Sequence, residues 1–165
     1  MSRLFNKSIE ALSAHLGDVL LQQEKYVTTA ESCSGGGIAC AITDTAGSSA
    51  WFEKAWITYS NQAKADEVGV SDSVLQKHGA VSEEVVIQMA TGALSKSGAD
   101  ISVAVSGIAG PGGGTDTKPV GLVWFAIADN HGTISFSRCF SGNRKQVREQ
   151  TIKLALQELI ARLVA

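Results

Sequence analysis

The 165-residue sequence has little of what marks nucleic-acid-binding or membrane proteins. Its net charge is −2 and it has no basic run, so a nucleic-acid-binding surface is not indicated. Its longest apolar stretches carry polar residues and fall short of the about 20 residues that a membrane helix needs. The amino terminus, MSRLFNKSIEALSAHLG, lacks the continuous apolar segment of a secretory signal and predicts an amphipathic helix. We therefore expect a cytoplasmic protein.

Cysteine and histidine are also scarce. Cys33, Cys40 and Cys139 include no CxxC pair, which is typical of reduced thiols rather than of a disulfide framework. The three histidines are scattered, and none stands at metal-ligand spacing from a Cys, Asp or Glu cluster. We expect neither a metal nor a cofactor.

The hydrophobic pattern alternates between helical and strand-like periods. A chain of this length forms one ordinary domain and buries about 70% of its unfolded surface, so it needs no disulfide or metal to fold. We predict an α/β fold, a three-layer α/β/α sandwich with a mixed, about five-stranded sheet, in a single domain over residues 1–165. The pattern predicts strands over 26–31, 53–59, 101–106, 122–128 and 133–140, and helices over 5–24, from about 36 to 43, 61–68, 71–78, 82–96 and 144–163.

Two glycine-rich segments each follow a predicted strand. SCSGGGIACAIT leads from a strand into a helix, a junction that can bind an anion, although tight helix–sheet packing would require small residues equally well. GIAGPGGGTDTKPVG holds both prolines and matches neither the Walker A nor the GxGxxG pattern. Arg144 and Arg148, near the start of the last helix, would suit an anionic ligand or could simply be solvated. The anion-site interpretation predicts a ligand held between backbone and arginine.

The stretch from Gly47 to Lys64, GSSAWFEKAWITYSNQAK, carries the strongest chemical signal. A serine becomes a nucleophile when a base takes its proton, and a lysine with a lowered pKa can be that base. A tyrosine hydroxyl can relay the proton. We expect the strand within this stretch to bring Tyr59 and Lys64 beside the serine pair, and the residues alone do not choose between Ser48 and Ser49. A rival nucleophile is the Cys33 thiol, close to a predicted helix start.

Three motifs together resemble the CinA C-terminal domain family: TTAESCSGGGIACAIT, GSSAWFEKAWITYSNQAK and VSGIAGPGGGTDTKPVGLVWFA. The resemblance covers essentially the whole chain, with Ser34 where the family usually has Thr. Stand-alone members are nicotinamide-nucleotide amidases, so it implies hydrolysis of the carboxamide of nicotinamide mononucleotide to nicotinate mononucleotide and ammonia. It further implies a role in recycling pyridine nucleotides, no metal, and a homodimer. Its Ser, Lys and Tyr roles carry over onto Ser48, Lys64 and Tyr59.

On this basis we expect Lys64 to accept the Ser48 proton, directly or through Tyr59, before Ser48 attacks the amide carbon. Backbone amides of the Gly47–Ser49 turn or the Gly35–Gly37 loop would stabilise the oxyanion. The alternative is a nucleotide-binding regulatory module without turnover, which would not need the Ser–Tyr–Lys set. The expected substrate-binding residues are Ser32, Gly35, Gly36, Asn61, Ser106, Gly107, Gly110, Thr115 and Arg144.

Overall fold

The computed structural model describes residues 7–165, in which five strands and six α-helices alternate along the chain. The amino-terminal end of the helix predicted from residue 5 lies outside the described residues. The strands are β1 (Val27–Glu31), β2 (Phe52–Ile57), β3 (Ile101–Gly107), β4 (Leu122–Asp129) and β5 (Gly132–Cys139). The helices are α1 (Ile9–Gln22), α2 (Gly37–Thr43), α3 (Asn61–Val68), α4 (Asp72–His78), α5 (Glu83–Ser97) and α6 (Arg144–Leu163).

The strands form one mixed sheet in the order β2-β1-β3-β4-β5. The strands β2, β1 and β3 run parallel, whereas β4 and β5 form an antiparallel hairpin beside β3. β3 is central and nearly fully buried, as its uncharged sequence predicts. The predicted mixed five-stranded sheet is confirmed.

Each face of the sheet is covered by helices. On β3, Val103 and Val105 belong to the hydrophobic cluster shared with α1, α2 and α6, whereas the intervening Ala104 belongs to the cluster shared with α4 and α5. This alternation follows from the two-residue period of a strand. The fully buried large residues of β3 and β4 face α6. Alanines and the half-buried Trp124 face α5, and the alanines let α5 pack closely on the sheet. Three layers result, as predicted. None of the helices in residues 7–165 combines the length and the apolar character of a membrane-spanning helix.

Five of the six described helices begin at a polar side chain. The Ser8, Ser60, Ser71, Ser82 and Asn143 side chains each accept a hydrogen bond from a backbone N–H in the first turn that follows. The exception is α2, whose capping residue is Gly36 and has no side chain to offer. Its amino end is satisfied from elsewhere in the chain.

Parallel pairing aligns the carboxyl ends of the three strands β2, β1 and β3. Glu31 lies opposite Ile57 on one side and Val105 on the other. The next residue of each strand therefore lies in one row at the same edge of the sheet: Ser32, Thr58 and Ser106. In open α/β sheets this edge is where ligands bind.

Candidate active site

A buried lysine and a serine meet at this edge. Lys64, on the second turn of α3, donates a hydrogen bond from Nζ to the Ser32 Oγ at 3.0 Å. A second hydrogen bond runs from Nζ to the Thr58 carbonyl at 2.8 Å. Capping by Ser60 starts α3 immediately after β2, and this short connection places Lys64 over the end of β1. The arrangement joins a hydroxyl directly to an amine.

The environment of Lys64 favours its neutral form. Only 1% of Lys64 is exposed, and among residues 7–165 it forms no ion pair with a carboxylate. Burial lowers the pKa of Lys64 to about 8 from its ordinary 10.5, because it penalises the charged ammonium. A lysine with such a pKa has a substantial neutral fraction near physiological pH. The neutral amine can accept a proton from the serine to which it is hydrogen-bonded.

Tyr59 and Arg144 stand at the mouth of the same site. Arg144, the first residue of α6, donates from Nη2 to the Tyr59 Oη at 3.0 Å and from Nη1 to the Gly110 carbonyl at 2.8 Å. Tyr59 is 61% exposed. Its hydroxyl oxygen accepts from the guanidinium, which leaves its hydrogen free to bond a ligand. The pair fixes the glycine-rich loop after β3 to the rim.

A cavity of about 210 Å³ connects Ser32 and Lys64, called the dyad below, to the rim formed by Tyr59 and Arg144. Ser32 and Lys64 line its floor, Tyr59 and Arg144 its mouth, and the segment between α4 and α5 one wall. That wall is secured by Ser106, whose Oγ donates to the Ala80 carbonyl at 2.8 Å. The lining residues are Ser32, Cys33, Tyr59, Lys64, Ala80, Val81, Ser106, Gly107, Ala109 and Arg144. Over residues 7–165, no three His, Cys, Asp or Glu side chains gather closely enough to hold a metal ion.

The structure does not bring Ser48 to this site, so its predicted convergence with Tyr59 and Lys64 is wrong. Ser48 lies in a 3₁₀ turn before β2, whereas Tyr59 and Lys64 follow it. The first and last of the six residues of β2 are about 16 Å apart, at about 3.3 Å for each of the five steps between them. A strand runs in one direction and does not fold its ends together. The neighbouring parallel strand supplies the serine instead.

Comparison with known proteins identifies the family of the chain. The model of the CinA C-terminal domain matches residues 9–163. The nicotinamide-nucleotide amidohydrolase PncC of Escherichia coli K12 is 55% identical over 149 residues, which are 90% of each chain. That of Pseudomonas putida is 51% identical over 152 residues, 92% of this chain and 95% of its own.

This chain belongs to the CinA C-terminal domain family.

Solved structures of the family share the whole fold. The competence damage-inducible protein A of Klebsiella pneumoniae has a TM-score of 0.93 at 37% identity and covers 96% of this chain and 98% of its own. The Agrobacterium tumefaciens protein CihA has a TM-score of 0.91 at 44% identity, over 95% and 96% of the two chains. The resemblance carried by the three motifs is therefore confirmed, and the fold it implies with it.

The other expected binding residues divide into two groups. Ser32, Ser106, Gly107 and Arg144 line the cavity, although the Ser106 hydroxyl is already bound to a carbonyl. The residues of the second group are not among those that line the cavity in the part of the chain that the structure describes. Asn61 is exposed at the start of α3, and Thr115 is exposed and bonds the Lys118 N–H. Three glycines complete this group: Gly35 and Gly36, in the turn before α2, and Gly110, whose carbonyl holds Arg144.

Cys33 is a poor nucleophile in this site. Burial raises the pKa of its thiol to about 12, and the charge of Glu31 adds to the effect, so the thiolate is disfavoured. The adjacent Ser32 holds the contact with the base. The motifs predict Ser32 as a binding residue, and its pairing with Lys64 is not evident from local sequence. The rule that parallel strands end at one edge would have found it, once β1 and β2 were taken as neighbours.

Proposed function

We propose that this protein hydrolyses the carboxamide of nicotinamide mononucleotide to nicotinate mononucleotide and ammonia, with Ser32 as the nucleophile and Lys64 as the base. The observation that carries the proposal is the 3.0 Å contact between Lys64 Nζ and Ser32 Oγ at the floor of a cavity. The substrate class comes from the relatives named nicotinamide-nucleotide amidohydrolases, which match about nine-tenths of the chain. The proposal replaces Ser48 by Ser32 and keeps Lys64 and Tyr59.

The reaction begins with a proton transfer. Neutral Lys64 takes the proton of Ser32 as Oγ attacks the amide carbon and the carbonyl becomes an oxyanion. Backbone N–H groups of the turn after β1 are suited to bind that oxyanion, because the Cys33 and Ser34 N–H groups donate to no carbonyl within residues 7–165. The Lys64 ammonium then gives its proton to the leaving nitrogen, and ammonia departs. An acyl-enzyme on Ser32 remains.

Water completes the cycle by the same route in reverse. Lys64, again neutral, removes a proton from a water molecule that attacks the acyl carbon. The resulting tetrahedral intermediate collapses, and the bond to Ser32 Oγ breaks as Lys64 returns the proton to it. The carboxylate product leaves, and the second hydrogen bond of Lys64, to the Thr58 carbonyl, holds the amine in place through both halves.

The rim of the cavity suits the anionic part of the substrate. Arg144 uses two of its five N–H donors on Tyr59 and Gly110, which leaves others for a phosphate. The Tyr59 hydroxyl hydrogen is available to the ribose, to the phosphate or, as a relay, to the reacting amide. A phosphate bound by Arg144 would favour the mononucleotide over free nicotinamide, which has no phosphate.

The direct test is a product assay. Purified protein is incubated with nicotinamide mononucleotide in the presence of a chelator, and both ammonia and nicotinate mononucleotide are quantified. The two products are expected in equal amounts. Nicotinamide riboside, which lacks the phosphate, is the matched substrate control and is expected to react far more slowly. Binding of the mononucleotide without product release would favour the regulatory module over the enzyme.

Three further expectations from the family resemblance are part of this proposal: a homodimer, a place in the cytoplasm, and a role in recycling pyridine nucleotides. The first is tested by light scattering on the eluted protein, where a mass of twice 17.2 kDa is expected. A monomeric mass at assay concentrations would contradict it.

A further inference from the structure

Glu31 is a fully buried carboxylate directly before Ser32. Its Oε2 accepts hydrogen bonds from the Ser34 hydroxyl at 2.6 Å and from the Ile38 N–H at 3.0 Å. Its Oε1 accepts from the Ala39 N–H at 2.8 Å and from the Thr29 hydroxyl at 3.1 Å. Buried carboxylates are rare unless they are paired, and here four donors take the place of a cation.

These bonds supply what α2 lacks at its amino end. Gly36 offers no capping side chain, so the first N–H groups of the helix need acceptors from outside it. The Glu31 carboxylate provides them, and its negative charge lies at the positive end of the helix. The helix is thereby fastened to the strand that precedes it. The segment from Ser32 to Gly36 is closed into a turn between those two fixed points.

That turn carries the nucleophile. Gly35 and Gly36 adopt φ values of 60° and 89°, which glycine reaches with no steric cost and which give the turn little stiffness of its own. Besides the Glu31 bonds, its start is held by the Ser32 N–H, which donates to the Val105 carbonyl. Within the turn, the Gly35 N–H donates to the Ser32 carbonyl, and the Ser34 carbonyl accepts from the Gly37 N–H and from Arg148. A turn of this composition needs an external constraint to keep one geometry.

We propose that Glu31 is a positioning residue: its carboxylate binds the amino end of α2 and the Ser34 hydroxyl, and so holds the turn that presents the Ser32 hydroxyl to Lys64. The inference rests on the proposed role of Ser32. It explains why a carboxylate adjacent to the dyad does not pair with its lysine. Glu31 is turned toward α2, and Lys64 bonds only to Ser32 and Thr58 among the described residues. The base can then lose its charge.

The test is Glu31→Gln in the full chain. The amide keeps one acceptor oxygen, so its NH₂ group must face the backbone N–H of either Ile38 or Ala39. Both groups are then donors, and that hydrogen bond is lost. A displaced turn costs catalysis more than binding, so kcat is expected to fall about tenfold to a hundredfold while KM changes less than about twofold. The midpoint of the pH–activity profile stays that of wild type, because the base is unchanged.

A second readout does not depend on the substrate. Labelling of Ser32 by a fluorophosphonate, followed by mass spectrometry, is expected to slow in Glu31→Gln by the same factor as kcat. If wild type is labelled but does not hydrolyse the mononucleotide, the substrate assignment fails and the labelling ratio still decides the role of Glu31. If wild-type Ser32 is not labelled, the positioning inference falls with the nucleophile.

The matched control is Ser102→Ala, which removes a buried strand hydroxyl bonded to the Ala90 carbonyl, at the other end of β3. It is expected to lower thermal stability and leave kcat and labelling unchanged. Glu31→Gln with lowered stability but wild-type kcat and labelling would reduce Glu31 to a structural residue and overturn the inference. A shifted pH midpoint would overturn it too, by making Glu31 an electrostatic partner of Lys64.

If Glu31→Gln does not fold, Ser34→Ala replaces it. This variant keeps the carboxylate and both helix N–H bonds and removes only the 2.6 Å contact. A loss of about threefold in kcat and in labelling rate is expected, smaller than a nucleophile displacement of a full ångström would cause. Unchanged values of both would overturn the inference.

Discussion

The segments before and after β2 both contain buried polar residues, but these residues have different neighbours. Before the strand, Ser48 is buried in a 3₁₀ turn that begins at Gly47, with φ 83°, and Trp51 packs beside Gly17. After the strand, Lys64 donates both to the Thr58 carbonyl and to the hydroxyl of Ser32, which follows the adjacent strand β1. The first end closes a packed turn, and the second places an amine beside a hydroxyl.

The difference lies in the neighbours rather than in the residues themselves. Ser48 donates its backbone N–H to Thr45 and accepts from the Trp51 N–H, so its backbone closes a turn, and none of the amines described nearby bonds its hydroxyl. Ser32 has an amine at 3.0 Å. A serine acquires catalytic potential when a base lies within hydrogen-bond distance of it. Proximity in sequence to a lysine does not provide that.

The largest expected effect separates the two serines. Ser32→Ala should lower kcat by about a thousandfold or more, as loss of a nucleophile does. Ser48→Ala should stay within about twofold of wild type, and Cys33→Ala should retain activity, because neither supplies the nucleophile to the amine in this fold. Ammonia release from the mononucleotide measures all three. Loss of activity in Ser48→Ala with activity in Ser32→Ala would reverse the comparison.

The next effect concerns the charge of Lys64. Because its pKa is lowered to about 8, kcat/KM should rise with pH up to about 8 and then level. Lys64→Met should abolish turnover and leave mononucleotide binding measurable by calorimetry. A binding loss as large as the activity loss would assign Lys64 to substrate binding.

The same lysine should make stability depend on pH. Unfolded protein holds the Lys64 proton up to about 10.5 and folded protein only up to about 8, so between these values the unfolded state binds more protons. Stability contributed by this group therefore rises with pH in that window, and the full cost of burying the charge is present below it. Thermal melts should show Lys64→Met gaining most over wild type near pH 7, with the gap narrowing toward pH 10.

A smaller effect is expected at the rim. Arg144→Ala removes the bonds to Tyr59 and Gly110 together with a cation available to the phosphate. KM for nicotinamide mononucleotide should rise about tenfold or more, since a charge-assisted hydrogen bond contributes about 1.5–3 kcal/mol. Nicotinamide riboside, without the phosphate, should be affected less. An equal KM increase for both substrates would point to the loop contact rather than to the phosphate.

The smallest expected effect on catalysis comes from Gly92→Ala, which is compared with Gly17→Ala because both glycines lie in tightly packed contacts. A Cβ at Gly92 would lie 1.7 Å from the Val68 carbonyl, so Gly92→Ala must push α3, and Lys64 with it, away from α5. A Cβ at Gly17 would lie 2.7 Å from the Trp51 ring, far from the dyad. Both variants should lose about 1–3 kcal/mol of stability by overpacking. Only Gly92→Ala should also lower kcat, measured at a temperature where both are folded.

Most of the fold follows from local patterns in the sequence. Ser71 and Ser82, the first residues of two predicted helices, cap α4 and α5, and the turn from Asp129 to Gly132 joins the strands predicted over 122–128 and 133–140. These elements depend on residues a few positions apart, which a single sequence displays. The order of the strands depends on contacts across the chain. Local patterns do not specify that order, and for this reason they do not reveal that Ser32 pairs with Lys64.

The elements, the family and the chemical types available, a serine, a lysine, a tyrosine and glycine-rich turns, are evident from the sequence. Which serine contacts the lysine depends on how the strands are arranged in space. Ser32 and Lys64 are 32 residues apart and come within 3.0 Å because β1 and β2 lie parallel and end at one edge. Burial at that edge also lowers the pKa of the lysine. Neither the pairing nor the burial is a local property of the chain.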